Sequence, residues 1–209
     1  MLDLYSLNIE KGMLYETIVT TCNQDGTPNA APMGVICKYQ DKIVLRLNEG
    51  SRTVRNIQRE NFFYVNLTRD PILFFQATVD NPPFEDFKDE NRGFSLIKAD
   101  ASFLAEVIQE RQVEREDSFG KSILIIIQAK AIEIMFNNYR NIEPMNRALC
   151  GIIEALVNLS RMKIASHAKK KEYLKRMKEI TRVVDRVGGK DHQKAMKLIN
   201  EEVKIKLLK

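Results

Sequence analysis

Tryptophan is absent from this 209-residue chain, and histidine occurs only at His167 and His192. Two imidazoles, both near the C-terminal end, argue against a multi-histidine metal centre or an imidazole-dependent triad, so no metal is expected. Cysteine is also scarce. Cys22, Cys37 and Cys150 are odd in number and widely spaced, so they spell neither a disulfide framework nor a zinc motif. A reducing, cytoplasmic compartment is the expectation. The longest purely aliphatic run, Ile123 to Ile127, falls far short of the ~20 residues that span a bilayer. Met1-Leu2-Asp3-Leu4 lacks a basic segment followed by an apolar one, so no secretory leader is expected. Neither a Walker loop nor GxGxxG, GxSxG or HExxH occurs, so redox or group-transfer chemistry would need a borrowed cofactor.

What is present fits a folded globular chain, 44% hydrophobic and 29% charged. The formal net charge of +5 hides a split: residues 161–209 carry 16 Lys/Arg against 6 Asp/Glu, and residues 1–160 carry 17 against 22. The last quarter is therefore strongly basic and the body mildly acidic. Such a segment is either a solvated helical face or a surface for a polyanion.

Hydrophobic alternation predicts strands at Tyr15–Cys22, Asn29–Lys38, Lys42–Leu47 and Phe62–Thr68. Asp25-Gly26 supplies a tight turn between the first two, and Pro32 marks an edge, a bulge or a place left open. Ser51 to Glu60 is helix-compatible. Pro71 to Thr78 is apolar and of undecided type, and Asn81 to Asp100 has no assigned structure after the break at Asn81-Pro82-Pro83. Phe103–Glu114 and Ser122–Met135 read as long strands joined across Asp117 to Lys121. This hairpin succession favours an antiparallel barrel or sandwich.

From Pro144, expected in a helix's first turn, the period becomes helical. Met145, Leu149, Ile152, Leu156 and Leu159 share one face, widened by Ile153 and Val157. Arg147, Gly151, Glu154, Asn158 and Arg161 form a second stripe, in which either arginine is placed to pair with Glu154 or a partner chain. Tyr173, Met177, Ile180, Val184 and Val187 mark a second helix, stopped by Gly188-Gly189, and Asp191 to Leu208 forms the last.

Gly50-Ser51-Arg52-Thr53 reads as a glycine turn into an N-capped helix, whose unpaired N–H groups with Arg52 and Arg55 suit an anion. An ordinary capped helix explains the same residues. Three segments together resemble a known family: Glu16 to Val35 (ETIVTTCNQDGTPNAAPMGV), Gly50 to Asn66, and Asn146 to Arg161 (NRALCGIIEALVNLSR). They are similar to DUF447, a branch of the flavin reductase-like, FMN-binding split-barrel proteins. The likeness runs from about residue 14 to about 165 and leaves the basic end uncovered.

The resemblance implies a mainly β fold with added α: a split antiparallel barrel of Greek-key type over residues 1–140 and a helical region over 141–209. It implies a homodimer with FMN at or near the subunit interface. Ser51, Arg52, Thr53 and Asn56 would bind the phosphate. Pro32, Met33 and Gly34 would lie along the isoalloxazine ring, where backbone N–H groups could address the flavin N5 and O4. Asn66 would bond a flavin carbonyl or ribityl hydroxyl, and Arg147 would set a cation near the flavin. The bland readings stand beside these: a bulge at Pro32 and Gly34, a strand-end cap at Asn66, an ion-pair lattice at Arg147. Cys22 and Cys37, on adjacent strands, read either as a dithiol beside the flavin or as two small core residues. No catalytic residue is identified. The implied activity is electron or hydride transfer through FMN, with NAD(P)H or another donor. The alternatives are a flavin carrier or sensor without catalysis, or a nucleic-acid-binding module built on the basic end. Tyr173 is the only aromatic residue in that end, which speaks against base stacking.

Overall fold

The computed structural model describes residues 3–117, 120–137, 142–162 and 164–208. Its contacts divide the chain into two compact units, residues 1–145 and 146–209. The first unit runs five residues past the expected boundary at 140, because Ile142 packs in its core and Met145 bridges to Glu16.

Six strands close the barrel in the order β1-β2-β3-β8-β7-β4. They are β1 (Leu14–Cys22), β2 (Pro28–Tyr39), β3 (Lys42–Asn48), β4 (Phe62–Leu67), β7 (Ala101–Asp117) and β8 (Gly120–Phe136), all paired antiparallel. Alternation sends Tyr15, Val19, Val35, Leu45, Phe63 and Phe103 to the interior. Fully burying such a phenylalanine contributes about 2–3 kcal/mol. Leu4, Leu7 and Ile9 join the same core from a single 3-10 turn at Leu4–Leu7, which Leu4 anchors by donating its N–H to the Gln40 carbonyl at 2.7 Å. The connection expected across Asp117 to Lys121 includes residues 118 and 119, which lie outside the described residues.

Helix α1 (Arg52–Glu60) joins β3 to β4. The undecided segment is helix α2 (Pro71–Val79), with Pro71 at its first position and the Asp70 carboxylate accepting from the Ile72 N–H at 2.8 Å. Its periodicity was illegible because the helix is apolar all round: Leu73 and Ala77 are buried, while Ile72, Phe75 and Val79 are exposed. The unassigned stretch folds into a 3-10 turn (Phe84–Asp86) and a small hairpin of β5 (Phe87–Glu90) and β6 (Gly93–Leu96). This hairpin and α2 share a second core with Ile18 and Ala30 on the outer face of β1 and β2.

The second unit holds α3 (Ala148–Arg161), α4 (His167–Val187) and α5 (Lys190–Leu208). Two sequence expectations fail here. Pro144 is not in the first turn of α3; the N-cap is Arg147, and Asn146 just before it accepts from the Ala148 N–H at 2.8 Å and donates to the Val187 carbonyl at 2.8 Å. The buried face of α3 is also not the expected stripe. Ala148, Ile152, Ala155, Asn158 and Leu159 are buried, whereas Leu149 and Leu156 are exposed. The reason is closeness: a Cβ at Gly151 would stand 3.3 Å from Val184 on α4, so small residues face that helix. Glu154 pairs with Arg176 of α4 at 3.1 Å.

Candidate functional site

The turn between β1 and β2 is locked by its own side chains. Gly26 takes the positive φ of 82° that the turn requires. The Thr27 hydroxyl and N–H both donate to Asp25, and these bonds hold the Asp25 carboxyl below its ordinary range. From this turn a buried polar network ties β1 and β2 to α1. Asn29 donates to Thr21 Oγ1 at 3.1 Å and to Thr53 Oγ1 at 3.3 Å. Asn56 donates to Thr21 Oγ1 at 3.0 Å and to Asn23 Oδ1 at 2.9 Å. Ser51 is the N-cap of α1, its Oγ accepting from the Val54 N–H. The N–H groups of Arg52 and Thr53 then have no acceptor within the helix, and the positive end of its dipole stands there.

Beside this network the barrel has a seam. β2 pairs with β1 from Pro28 to Ile36, but with β3 only from Val35 to Tyr39. Among the described residues, the outer edge of Pro28 to Gly34 therefore has no strand partner. Ala30 turns its N–H outward there, to Asn81 Oδ1 at 2.7 Å. Alternation then directs the N–H of Gly34 outward too, and Pro32 between them has none to offer. Register continued from Val35–Leu45 sets Gly34 opposite Arg46, an exposed cation in the alternating run Leu45-Arg46-Leu47. Gly34 is tightly backed, since a Cβ there would lie 3.1 Å from Leu14. Met33 packs against the barrel core, and its carbonyl accepts from Thr17 Oγ1 at 3.0 Å.

Comparison with known proteins bears on this arrangement. The family model described as "Protein of unknown function (DUF447) N-terminal domain" matches residues 15–138, and the one described as "Protein of unknown function (DUF447)" matches residues 146–201. The chain belongs to the DUF447 family. An uncharacterized protein of Methanocaldococcus jannaschii, MJ1453, is 31% identical over 193 residues, covering 90% of this chain and 96% of its own. The crystal structure of an FMN-bound DUF447 protein from Methanosarcina mazei, MM1853, matches with TM-score 0.56 at 29% identity, covering 96% of this chain and 100% of that one. The flavin reductase of the styrene monooxygenase from Pseudomonas putida S12 matches over 59% of this chain and 80% of its own, with 15% identity and TM-score 0.47.

In this DUF447 chain, Ser51, Arg52, Thr53 and Asn56 all lie on or beside the first turns of α1. Thr53 and Asn56 are buried in the network. Arg52 is exposed and lines a cavity of about 480 Å³ with Asn23, Asp25, Thr27, Asn81 and Phe84. Asn66 is wholly buried with its side chain fully engaged. It donates to the Ile18 carbonyl (2.9 Å) and Thr20 Oγ1 (3.0 Å), and accepts from the Leu96 N–H (2.8 Å) and Ser102 Oγ (2.8 Å). It clamps β1, β4, β6 and β7 together. Arg147 belongs to the helical unit, at the N-cap of α3.

The dithiol reading of Cys22 and Cys37 does not survive the register. Cys22 faces Pro28 at one end of the β1–β2 ladder, while Cys37 follows Ile36, the partner of Leu14, at the other. Burial pushes the Cys37 thiol up to about 11. Burial first, and then the negative charge of Glu60, raises the Cys22 thiol as well. Sequence reasoning missed Asn29, Asn81 and Arg46. Asn29 and Asn81 are paired only by the fold; Arg46 left one trace, a charge between two interior leucines.

Proposed function

We propose that this DUF447 protein binds FMN at the barrel seam and acts as a flavin-dependent oxidoreductase, with NAD(P)H as electron donor. The observation that carries the reading is the full-length likeness to MM1853, described as FMN-bound. The residues present fit such a group. Arg52 and the N–H groups of Arg52 and Thr53, which have no acceptor within the helix, suit a phosphate, and Ser51 orients that turn. Thr53 and Asn56 act from behind, holding α1 against the hairpin. The outward Gly34 N–H and the open edge at Pro32 and Met33 offer a donor and close backbone approach to a flat heterocycle. Arg46 supplies a cation next to this edge, the role the family likeness suggested for Arg147, which stays a further candidate. Asn66 acts as a clamp rather than a flavin ligand, since all four of its hydrogen-bonding positions are taken. Bound FMN would supply reversible electron and hydride transfer; the chain's own groups position it and tune it.

A homodimer fits the same surface. Pockets usually bury most of a ligand this large, and the open edge of one chain is a ledge rather than a pocket. The exposed stripe Ile72, Phe75 and Val79 on α2 suits cover by a second copy. Among the described residues no helix is long and apolar enough to cross a membrane. Three free thiols agree with a reducing cytoplasm.

The test is the absorption spectrum of the purified protein after FMN is added and the excess removed. Retained oxidised-flavin bands, bleached by NADH or NADPH under anaerobic conditions, are expected. Arg52→Ala should weaken FMN binding about tenfold, the size of one charge-assisted contact. A chain that retains no FMN overturns the reading, and one that retains FMN but is never reduced by either donor restricts it to a carrier or sensor.

A further inference from the structure

Flavin binding leaves the basic end of the chain without a role, yet the structure orders its charge. Helix α4 is 21 residues long and buries Met177, Val184 and Val187. Lys171, Lys175, Lys178, Arg182 and Arg186 recur at i, i+4, i+7, i+11 and i+15, which sets them in one stripe on the opposite side, and all five are exposed. At a rise of about 1.5 Å per residue the stripe runs about 22 Å. We propose that it is a docking surface for the phosphate backbone of double-helical nucleic acid. The inference goes beyond flavin binding and does not depend on it.

Three observations point to a polyanion. The first is the sign pattern. A helix face that meets only water gains from mixed signs, because Glu and Lys three or four residues apart attract. The stripe does the reverse, since each of its cations has another cation three or four residues away. Glu179 and Asp185 flank it, yet among the described residues none of the five cations forms an ion pair. The second is where the paired cations of α4 stand. Lys169 holds Glu172 at 2.8 Å and Arg176 holds Glu154 at 3.1 Å, and helical spacing puts both away from the stripe. The third is repetition. On α5, Lys190, Lys194 and Lys197 are exposed opposite the buried Met196, Ile199 and Val203, again without an ion pair among the described residues.

The surroundings of the stripe narrow the partner. A membrane-surface helix lays its apolar face into lipid, but that face of α4 is buried in the helical unit. A protein interface needs an apolar or aromatic core, and the stripe holds none. Single-stranded bases need stacking platforms, and Tyr173 is half-buried on the other side of the helix. What remains is a row of cations suited to successive phosphates, which gives affinity without base readout.

Fluorescence anisotropy of a short labelled duplex titrated with the full chain tests this, with DNA in one arm and RNA in the other. At least one should bind. The slope of log affinity against log salt should be about −4, since each neutralised phosphate contributes about −0.9. Lys175→Gln combined with Arg182→Gln should weaken binding about tenfold or more and bring the slope about 2 nearer zero, with FMN retention unchanged. Lys169→Gln combined with Arg176→Gln removes the same charge from the paired positions and should change little. All four residues are exposed, so both variants are expected to fold. Absence of binding by either duplex at low salt overturns the proposal. So does a wild-type salt slope near zero, a readout that needs no variant. Unchanged affinity in the stripe variant overturns it, and so does an equal loss in the paired one, which would make diffuse net charge the cause. Binding to phosphatidylserine vesicles with neither duplex bound overturns it as well.

Discussion

The barrel and the helical unit bury asparagine in opposite ways. In the barrel, Asn29, Asn56 and Asn66 are buried with their amides engaged, and Asn66 spends every hydrogen-bonding position it has. In the helical unit, Asn158 is just as buried, yet among the described residues its amide nitrogen has no partner. The barrel uses polar groups to specify which strand lies where. The helical unit relies on close packing at Gly151, Ala148 and Ala155, and keeps its apolar Leu149, Ile153 and Leu156 on the surface. Satisfied buried amides give uniqueness to a fold, while an unsatisfied one is tolerated only where packing supplies enough.

The sharpest way to break this contrast is Asn66→Leu. It strands the Leu96 N–H, the Ser102 hydroxyl and their counterparts on β1, so a loss of about 3 kcal/mol or more is expected in urea unfolding. A change below about 1 kcal/mol would show that the barrel does not depend on its polar clamp.

An intermediate effect comes from Cys37, buried in the apolar part of the same core. Burial raises its pKa from 9.0 to about 11, so the unfolded chain ionises before the native one does. Its contribution is complete below pH 9 and is lost as pH rises from 9 toward 11. The expected decline is about 2–3 kcal/mol across that window. Unfolding midpoints below pH 9 and near pH 11 should differ more in the wild type than in Cys37→Ala.

The smallest effect is expected on the helical side. Asn158→Leu removes an unmet donor and adds apolar volume, so stability should hold or rise by about 1 kcal/mol. A marked loss in thermal unfolding would mean that Asn158 has a structural partner after all, and the contrast with the barrel would fall.

Much of the barrel was legible because its signals are local. Period-two alternation marked β1 to β4, and Asp25-Gly26 marked the hairpin. Ser51 declared itself as a cap because an N-cap acts within three residues. The segment at Pro71 stayed undecided because a helix apolar on every side has no period to read. The hairpin of β5 and β6 stayed hidden because four-residue strands such as Phe87-Lys88-Asp89-Glu90 carry too little pattern. The buried face of α3 was misjudged because apolar spacing reports hydrophobicity, not how near the neighbouring helix comes.

Sequence alone determined the succession of the barrel strands, the charge split between the two ends of the chain and the family, since all three depend on residue order. Only the tertiary structure decided that Asn66 is a clamp, that Cys22 and Cys37 stand at opposite ends of their ladder, and that Arg46 is a cation beside an open edge. Each of these rests on strand register or on contacts between residues well separated in the sequence. A pairing of that range is set by how strands and helices pack together, which no local pattern encodes.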